Sequence, residues 1–201
     1  MAILSEVIST VVSQVVSSVT GVETIYRYFN NSTNTYATIP VVELELGDTI
    51  AFSVITVPLV NTSSKINFFG YDTVGWRALI AGMFTNSRQI DFNTSALSGT
   101  MDGVALNEGV TTVPIDSLEH RFVFTCLNTD PSVSRIQNIG THNNFTTTAN
   151  PWPIYNVDIT LAAGGSRSYA VDTISPTLVD SISGQDGAQV NYDASLWAEV
   201  S

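Results

Sequence analysis

The chain has 201 residues, of which 44% are hydrophobic and only 12% are charged. This length accommodates one all-β domain with a sizeable core and requires no second one. Seven Lys and Arg against 18 Asp and Glu give a formal net charge of -11, which repels phosphate backbones and argues against nucleic acid as a partner. No stretch reaches the roughly 18 consecutive apolar residues of a membrane-spanning helix, and the N-terminus lacks the basic segment of a secretory signal.

The first 22 residues follow a repeat of two apolar and two polar positions. This repeat gives a strand no consistent face, but it gives a helix a broad apolar stripe, so we predict an amphipathic α-helix over residues 1–22. Because valine, serine and threonine are mediocre helix formers, we expect the helix to need sister helices or a groove on a partner. A helix packed on its own domain is the alternative. The stripe consists of Leu4, Ile8, Val11, Val15 and Val19.

From Val22 onward, short apolar alternations separated by turn-forming residues predict an all-β domain. Three alternating sets predict strands with one buried face: Ile50, Phe52 and Val54; Phe122, Phe124 and Cys126; and Tyr155, Val157, Ile159 and Leu161. The pair Asp102-Gly103 predicts a type I′ hairpin turn, in which both central residues take positive φ. Numerous short strands without intervening helical patterns indicate a sandwich or a jelly roll.

A series of short motifs after Tyr26 occurs in an order that matches a known family. The segments are Tyr28–Pro40, Gly47–Ser53, Met101–Val104, Glu119–Phe124, Ile136–Gly140, Pro153–Ile159, Tyr169–Asp172 and Val179–Gly187. Together they resemble the concanavalin A-like, or laminin-G-like, jelly roll found in tail, fibre and other virion proteins of bacteriophages. The resemblance implies a jelly-roll sandwich of two antiparallel sheets over residues 23–201, preceded by the helix at 1–22 as an attachment arm.

The function expected from this resemblance is that of a bacteriophage virion structural protein: a capsid decoration, head fibre or tail-fibre module on the virion surface. The helix would bind other virion proteins, and a homo-oligomer, preferably a trimer, is expected. A module that binds host surface glycans is the alternative. A glycan hydrolase is less favoured, because Glu43 and Glu45 fit the solvent side of an alternating strand. His120 and His142 form neither a metal cluster nor a recognisable triad, so we expect no enzyme.

The candidate glycan-binding residues are an aromatic platform with neighbouring amides. Trp152 lies between two prolines and is predicted to be the most exposed aromatic, although a packing role for it is favoured over ligand contact. Tyr71 is the second aromatic candidate, and Asn143 and Asn144 are hydrogen-bonding candidates. No cofactor is expected. Calcium has oxygen donors but no dense ligand set that would place it; these donors are Asp72, Asp130, Asp158 and Asp172.

Overall fold

The structure is a computed structural model, and it describes residues 24–27, 36–56, 65–71, 79–84, 87–92, 96–129, 135–140, 152, 154–169, 175–190 and 197–200. The predicted helix at 1–22 lies outside these residues. Within the described residues every regular element is a β-strand, and none of them forms a helix long and apolar enough to cross a membrane.

The strands are short, as the spacing of turn residues predicts. In chain order they are β1 (Thr24–Arg27), β2 (Tyr36–Glu43), β3 (Thr49–Ile55), β4 (Lys65–Gly70), β5 (Leu79–Phe84), β6 (Ile90–Phe92), β7 (Leu97–Met101) and β8 (Val104–Ala105). The second half of the chain adds β9 (Glu119–Cys126), β10 (Arg135–Ile139), β11 (Ile154–Thr160), β12 (Arg167–Tyr169), β13 (Thr177–Leu178), β14 (Gly187–Val190) and β15 (Trp197–Val200).

These strands form two antiparallel sheets. The eight-stranded sheet has the order β15-β1-β11-β3-β9-β7-β8, with β12 also paired to β11. The seven-stranded sheet has the order β13-β14-β2-β10-β4-β5-β6. Several neighbours, such as β1 with β11 and β2 with β14, are distant in sequence, so each sheet combines early and late parts of the chain. The prediction of an all-β domain with two antiparallel sheets is therefore confirmed for the described residues.

An aromatic cluster joins the inner faces of the two sheets. The ring of Phe52 on β3 lies 4.7 Å from that of Phe69 and 5.3 Å from that of Phe68, both on β4 of the opposite sheet. Within its own sheet Phe52 stacks on Phe122 at 5.4 Å. The alternation predicted for β3 and β9 is confirmed, because their predicted inner residues are all buried. These residues are Ile50, Phe52, Val54, Phe122, Phe124 and the free thiol Cys126.

The hairpin between β7 and β8 has the predicted turn. Asp102 and Gly103 take φ values of 52° and 78°, and Met101 pairs with Val104 on either side of them. Two successive positive φ values define a type I′ turn, whose twist matches that of the strands it joins. The prediction at Asp102-Gly103 is confirmed.

A buried arginine braces the two sheets against each other. Arg167 on β12 of the eight-stranded sheet is 7% exposed. Its guanidinium donates hydrogen bonds to the carbonyl oxygens of Pro40 and Val41, on β2 of the seven-stranded sheet, at 2.5 and 3.3 Å. The backbone carbonyls give partners to the two terminal nitrogens of this buried charge, whereas its Nε has no hydrogen-bond partner among the described residues.

The turn after β11 is pinned at both ends. The buried side chain of Asp48 accepts hydrogen bonds from the backbone N–H groups of Glu45 and Ala162, both at 2.8 Å. One residue earlier, the N–H of Leu161 donates to the hydroxyl of Ser166 at 3.0 Å. Two distant turns are therefore held together at one end of the sandwich.

Candidate functional site

A polar groove lies on the outer face of the eight-stranded sheet, away from the aromatic core. It has a volume of about 420 Å³ and crosses four adjacent strands, β9, β3, β11 and β12. We call it the Arg121 groove. The residues that line it are Ser53, Glu119, Arg121, Asn156, Asp158 and Ser168.

Strand alternation explains why these polar side chains share one face. Phe52 and Phe122 point into the core from β3 and β9. Their neighbours Ser53 and Arg121 must then point outward, because successive side chains on a strand alternate. Ser53 and Arg121 are also direct partners across the two strands, which brings a hydroxyl and a guanidinium together on the groove floor.

A β-bulge in β11 shapes the groove. Tyr155 pairs with Ser53 and Asp158 pairs with Ala51, so β11 uses three steps where β3 uses two. Asn156 lies in the bulge with a φ of 50°, a left-handed conformation that asparagine tolerates better than most residues. The bulge places Tyr155 on the outer face with Asp158. The predicted burial of Tyr155 is confirmed, since it is 3% exposed, but the prediction that it shares the inner face of Val157 is wrong.

A chain of hydrogen bonds crosses the groove and is centred on the Arg121 guanidinium. Its Nη1 donates to the carbonyl oxygen of Asn156 at 2.6 Å and to the Ser53 hydroxyl at 3.4 Å. Its Nη2 donates to Asp158 Oδ2 at 2.7 Å, and Ser168 Oγ donates to Asp158 Oδ1, also at 2.7 Å. The Arg121 and Asp158 side chains remain 35% and 43% exposed. The pair is therefore ordered and still open to a ligand.

The charge of the groove is set by three side chains. Arg121 is neutralised by Asp158 across a 2.7 Å ion pair. Glu119 lies two residues before Arg121 on the same outer face, and no ion-pair partner for it occurs among the described residues. The lining therefore carries a formal charge of about one negative unit, in a chain that is itself acidic.

A buried histidine supports the groove from the inner face of β9. His120 is 8% exposed, and its Nδ1 lies 2.7 Å from Asp102 Oδ2 while its Nε2 lies 3.1 Å from Asp116 Oδ1. Burial acts to lower the pKa of His120, but the hydrogen bonds and charges of the two carboxylates outweigh it, so the pKa is raised. Only the doubly protonated ring donates to both partners. We call His120, Asp102 and Asp116 the His120 clamp.

The His120 clamp is tied directly to a residue of the groove. The N–H of Arg121 donates to Asp102 Oδ1 at 2.8 Å, and the N–H of Asp102 donates to the carbonyl oxygen of Arg121 at 2.8 Å. At Asp116, the backbone N–H of Leu118 and the His120 ring hold the pKa of the carboxyl below its ordinary value, against the opposing effect of burial. The turn between β7 and β8 therefore fixes the backbone that carries Arg121.

A second buried carboxylate fixes the far side of the groove. Asp180 is 3% exposed, and its Oδ1 accepts the N–H of Ser168 at 3.0 Å and that of Ile182 at 3.1 Å. The Ser183 hydroxyl donates to the other carboxylate oxygen, Asp180 Oδ2. Burial acts to raise the pKa of Asp180, but these hydrogen bonds lower it from 3.8 to about 2. Because Asp180 remains ionised, it holds the strand that presents Ser168.

The structure describes two of the four predicted glycan-binding residues, Trp152 and Tyr71. Trp152 is completely buried, 6.4 Å from the ring of Phe68, so the prediction that it is an exposed aromatic is wrong and the packing role is the one observed. Tyr71 is half-buried, with the Arg135 guanidinium 5.5 Å above its ring. Asn143 and Asn144 lie outside the described residues.

The two glutamates that could serve a hydrolase and the four aspartates that could bind calcium lie in different parts of the chain. Glu43 is exposed and forms a 2.7 Å ion pair with Arg135 across β2 and β10, and Glu45 is exposed beyond the end of β2. Of the calcium candidates, Asp158 is paired with Arg121 in the groove. Asp72, Asp130 and Asp172 are outside the described residues. No group of three or more potential metal ligands occurs in the part of the chain that the structure describes.

Comparisons with protein-family models, curated proteins and solved structures gave no match for this chain. The structure itself defines the class of the protein, which is all-β, with two antiparallel sheets and a polar groove on one outer face. The resemblance to a phage jelly roll depends on the sequence motifs.

Sequence reasoning did not find the Arg121 groove, because its residues come from four strands that pairing alone brings together. A partial signal was present: Arg121 and Asp158 each occupy a polar position in an alternating strand. They are opposite charges in a chain with few cations. The pairing of β9 and β11 with β3 was the missing information.

Proposed function

We propose that this chain is a saccharide-binding module displayed on the surface of a bacteriophage particle. The single observation that carries the binding function is the Arg121 groove. Sugar hydroxyls both donate and accept hydrogen bonds, and the groove offers both kinds of partner on a rigid sheet. Its donors and acceptors include a guanidinium, two hydroxyls, an amide and two carboxylates.

The display function is supported by the order of motifs along the chain. Three of the segments on which this resemblance depends lie on regular elements of the two-sheet structure: Gly47–Ser53 on a turn and β3, Met101–Val104 on the β7–β8 hairpin, and Glu119–Phe124 on β9. The proposed jelly roll would be carried by the helix predicted at residues 1–22, bound to other virion proteins. A homotrimer is the assembly that we propose.

The binding function is tested with a glycan array and titration calorimetry, both with and without calcium. Arg121→Ala is expected to weaken binding of any array ligand by about tenfold, because a charge-assisted hydrogen bond is lost. Arg135→Ala is the matched control. Arg135 is equally half-buried and also forms a 2.7 Å ion pair, but on the opposite sheet. It should leave binding unchanged.

Three outcomes would contradict the binding function. They are an array without any ligand, equal effects of Arg121→Ala and Arg135→Ala, and release of reducing ends from the bound glycan. The last outcome would indicate a hydrolase that uses Glu119 and Asp158, the two carboxylates of the groove.

The assembly function is tested by measuring solution mass with light scattering, for the full chain and for a version that starts at Glu23. A trimer that becomes a folded monomer on truncation supports self-assembly through residues 1–22. Monomers in both cases would contradict the trimer and favour docking of that segment on a different virion protein.

A purely structural module without a ligand is the second candidate function. The observation that favours it is the bracing of the sandwich, in which Arg167 joins the two sheets and Asp48 joins two end turns. Such bracing suits a particle surface under mechanical load. A trimer that binds no glycan would support this candidate over the first.

A further inference from the structure

The Arg121 guanidinium is the group in the groove best suited to binding an acidic sugar, but it is already occupied. A guanidinium binds a carboxylate through a fork of parallel N–H donors. Here Nη2 is bonded to Asp158 Oδ2, and Nη1 is bonded to the carbonyl oxygen of Asn156. Among the described residues that line the groove, Arg121 is the only cation.

We propose that Asp158 acts as the charge-selectivity residue of the Arg121 groove and makes it select uncharged saccharides over those that carry carboxylates. This inference rests on the proposed saccharide-binding function and adds the class of saccharide to it. An acidic sugar must displace Asp158 from Arg121 and also approach Glu119, whose negative charge has no ion-pair partner in the part of the chain that the structure describes. A neutral sugar needs neither step, since hydroxyls bond to the guanidinium edge, the carboxylates and the two serines without adding charge.

The geometry holds Asp158 in its blocking position from both sides. Ser168 Oγ donates to Asp158 Oδ1 while Arg121 holds Oδ2. Ser168 is itself fixed by Asp180, which accepts its backbone N–H. Because both carboxylate oxygens are engaged, Asp158 is held beside Arg121 when an acidic ligand arrives.

The long-range charge of the protein acts in the same direction and must be separated from the local effect. A net charge of -11 disfavours any anionic ligand. A suitable control removes one negative charge outside the groove. Glu43 meets this requirement, because it also pairs with an arginine at 2.7 Å but lies on the opposite sheet, and its side chain is 49% exposed against 43% for Asp158.

The experiment compares neutral and acidic hexamers of the same backbone by titration calorimetry. The pairs are β-1,4-mannan with β-1,4-mannuronan, and α-1,4-galactan with α-1,4-galacturonan. In each pair the hydroxymethyl group is replaced by a carboxylate. The proteins are the full-length wild type, Asp158→Asn, Asp158→Ser as a second groove variant, and Glu43→Gln. Circular dichroism and thermal unfolding of each variant establish that it is folded.

The wild type is expected to bind a neutral hexamer about tenfold more tightly than its acidic counterpart, since an unpaired charge is disfavoured there. Both Asp158 variants should raise affinity for the acidic hexamer by about tenfold, and added salt should reduce this gain. Affinity for the neutral hexamer should fall by less than about tenfold, because the Asp158 variants lose one of the acceptors of its hydroxyls, so the preference for neutral over acidic hexamers should be reversed or abolished. Glu43→Gln should reproduce the wild type.

Several results would overturn the inference. Equal gains for Asp158→Asn and Glu43→Gln would show a general charge effect, and a wild type that prefers the acidic hexamer would contradict the blocking role. A wild type that binds neutral hexamers while both Asp158 variants gain nothing would refute this inference alone and leave the binding function intact. A wild type that binds no saccharide, either on the glycan array or in these titrations, would refute both this inference and the proposed binding function.

Discussion

Proton loss from His120 is predicted to destabilise the folded protein at alkaline pH. The folded-state pKa of His120 is raised above its ordinary value of 6.5. Its stabilising contribution is therefore complete below pH 6.5 and is lost as the pH rises through the folded-state value. The pKa of Asp116 is lowered from 3.8, so its part of the clamp is present above pH 3.8 and is lost on further acidification. The contributions of His120 and Asp116 to the clamp are therefore both fully present between pH 3.8 and pH 6.5.

The magnitude follows from the hydrogen bonds that the ring can donate. A neutral imidazole has one N–H, so deprotonation removes one of the two bonds to carboxylates and the charge from the other. Hydrogen bonds to charged groups contribute about 1.5 to 3 kcal/mol. The partner carboxylates are 46% and 38% exposed, and solvent screening reduces the loss expected from His120 deprotonation to about 1 kcal/mol.

The assay is urea unfolding of the wild type and of His120→Gln, at about pH 5.5 and about pH 8.5. Subtracting the variant removes the effect of every other titrating group, including the growing self-repulsion of an acidic chain. The wild type should exceed the variant by about 1 kcal/mol more at the lower pH. A stability difference that is equal at both pH values, or larger at the higher one, would refute the doubly protonated clamp.

Three further predictions concern stability. Phe52→Ala should lower the free energy of unfolding, measured in urea, by about 3 to 5 kcal/mol, because it empties the centre of the aromatic cluster. Leu46→Ala is the control. Leu46 is 57% exposed, so this variant should change the free energy of unfolding by less than about 0.5 kcal/mol. Gly99→Ala should lower the melting temperature, since a Cβ there would lie 2.7 Å from the ring of Phe124; an unchanged melting temperature would contradict this contact. Asp180→Asn should destabilise by about 2 kcal/mol at neutral pH. Because the pKa of Asp180 is about 2, that loss should shrink as the pH falls from 3.8 towards 2, and a loss independent of pH would exclude the ionised carboxylate as its cause.

Strand content and inner faces were predictable wherever alternation continued without interruption. Phe122 and Phe124 show this on β9, where every second residue is buried. Alternation failed at Tyr155, because one extra residue in the bulge at Asn156 reverses the face of everything before it. Nothing in the local sequence marks that bulge, since asparagine in a strand is also compatible with regular pairing.

The candidate site was less predictable than the fold, and the reason lies in sheet topology. Arg121 and Asp158 are separated by 37 residues and meet on either side of β3, which precedes both in sequence. The sequence instead suggested aromatic residues as the glycan-binding candidates. Trp152 between two prolines looked exposed, but its large apolar ring packs beside Phe68, where burial stabilises it. A site built from polar strand positions gives no contiguous motif.

The pinned turn after β11 has a practical consequence for testing the proposed display on a phage particle. Residues 162–165 are exposed, and at Gly164 and Gly165 an added Cβ would meet nothing within 4 Å. The flanking backbone is anchored by Asp48 and Ser166, so an inserted tag would begin and end at fixed points. A short epitope or fluorophore-binding peptide between these glycines would extend into solvent and make each copy visible by electron microscopy, with the strands on either side keeping their register.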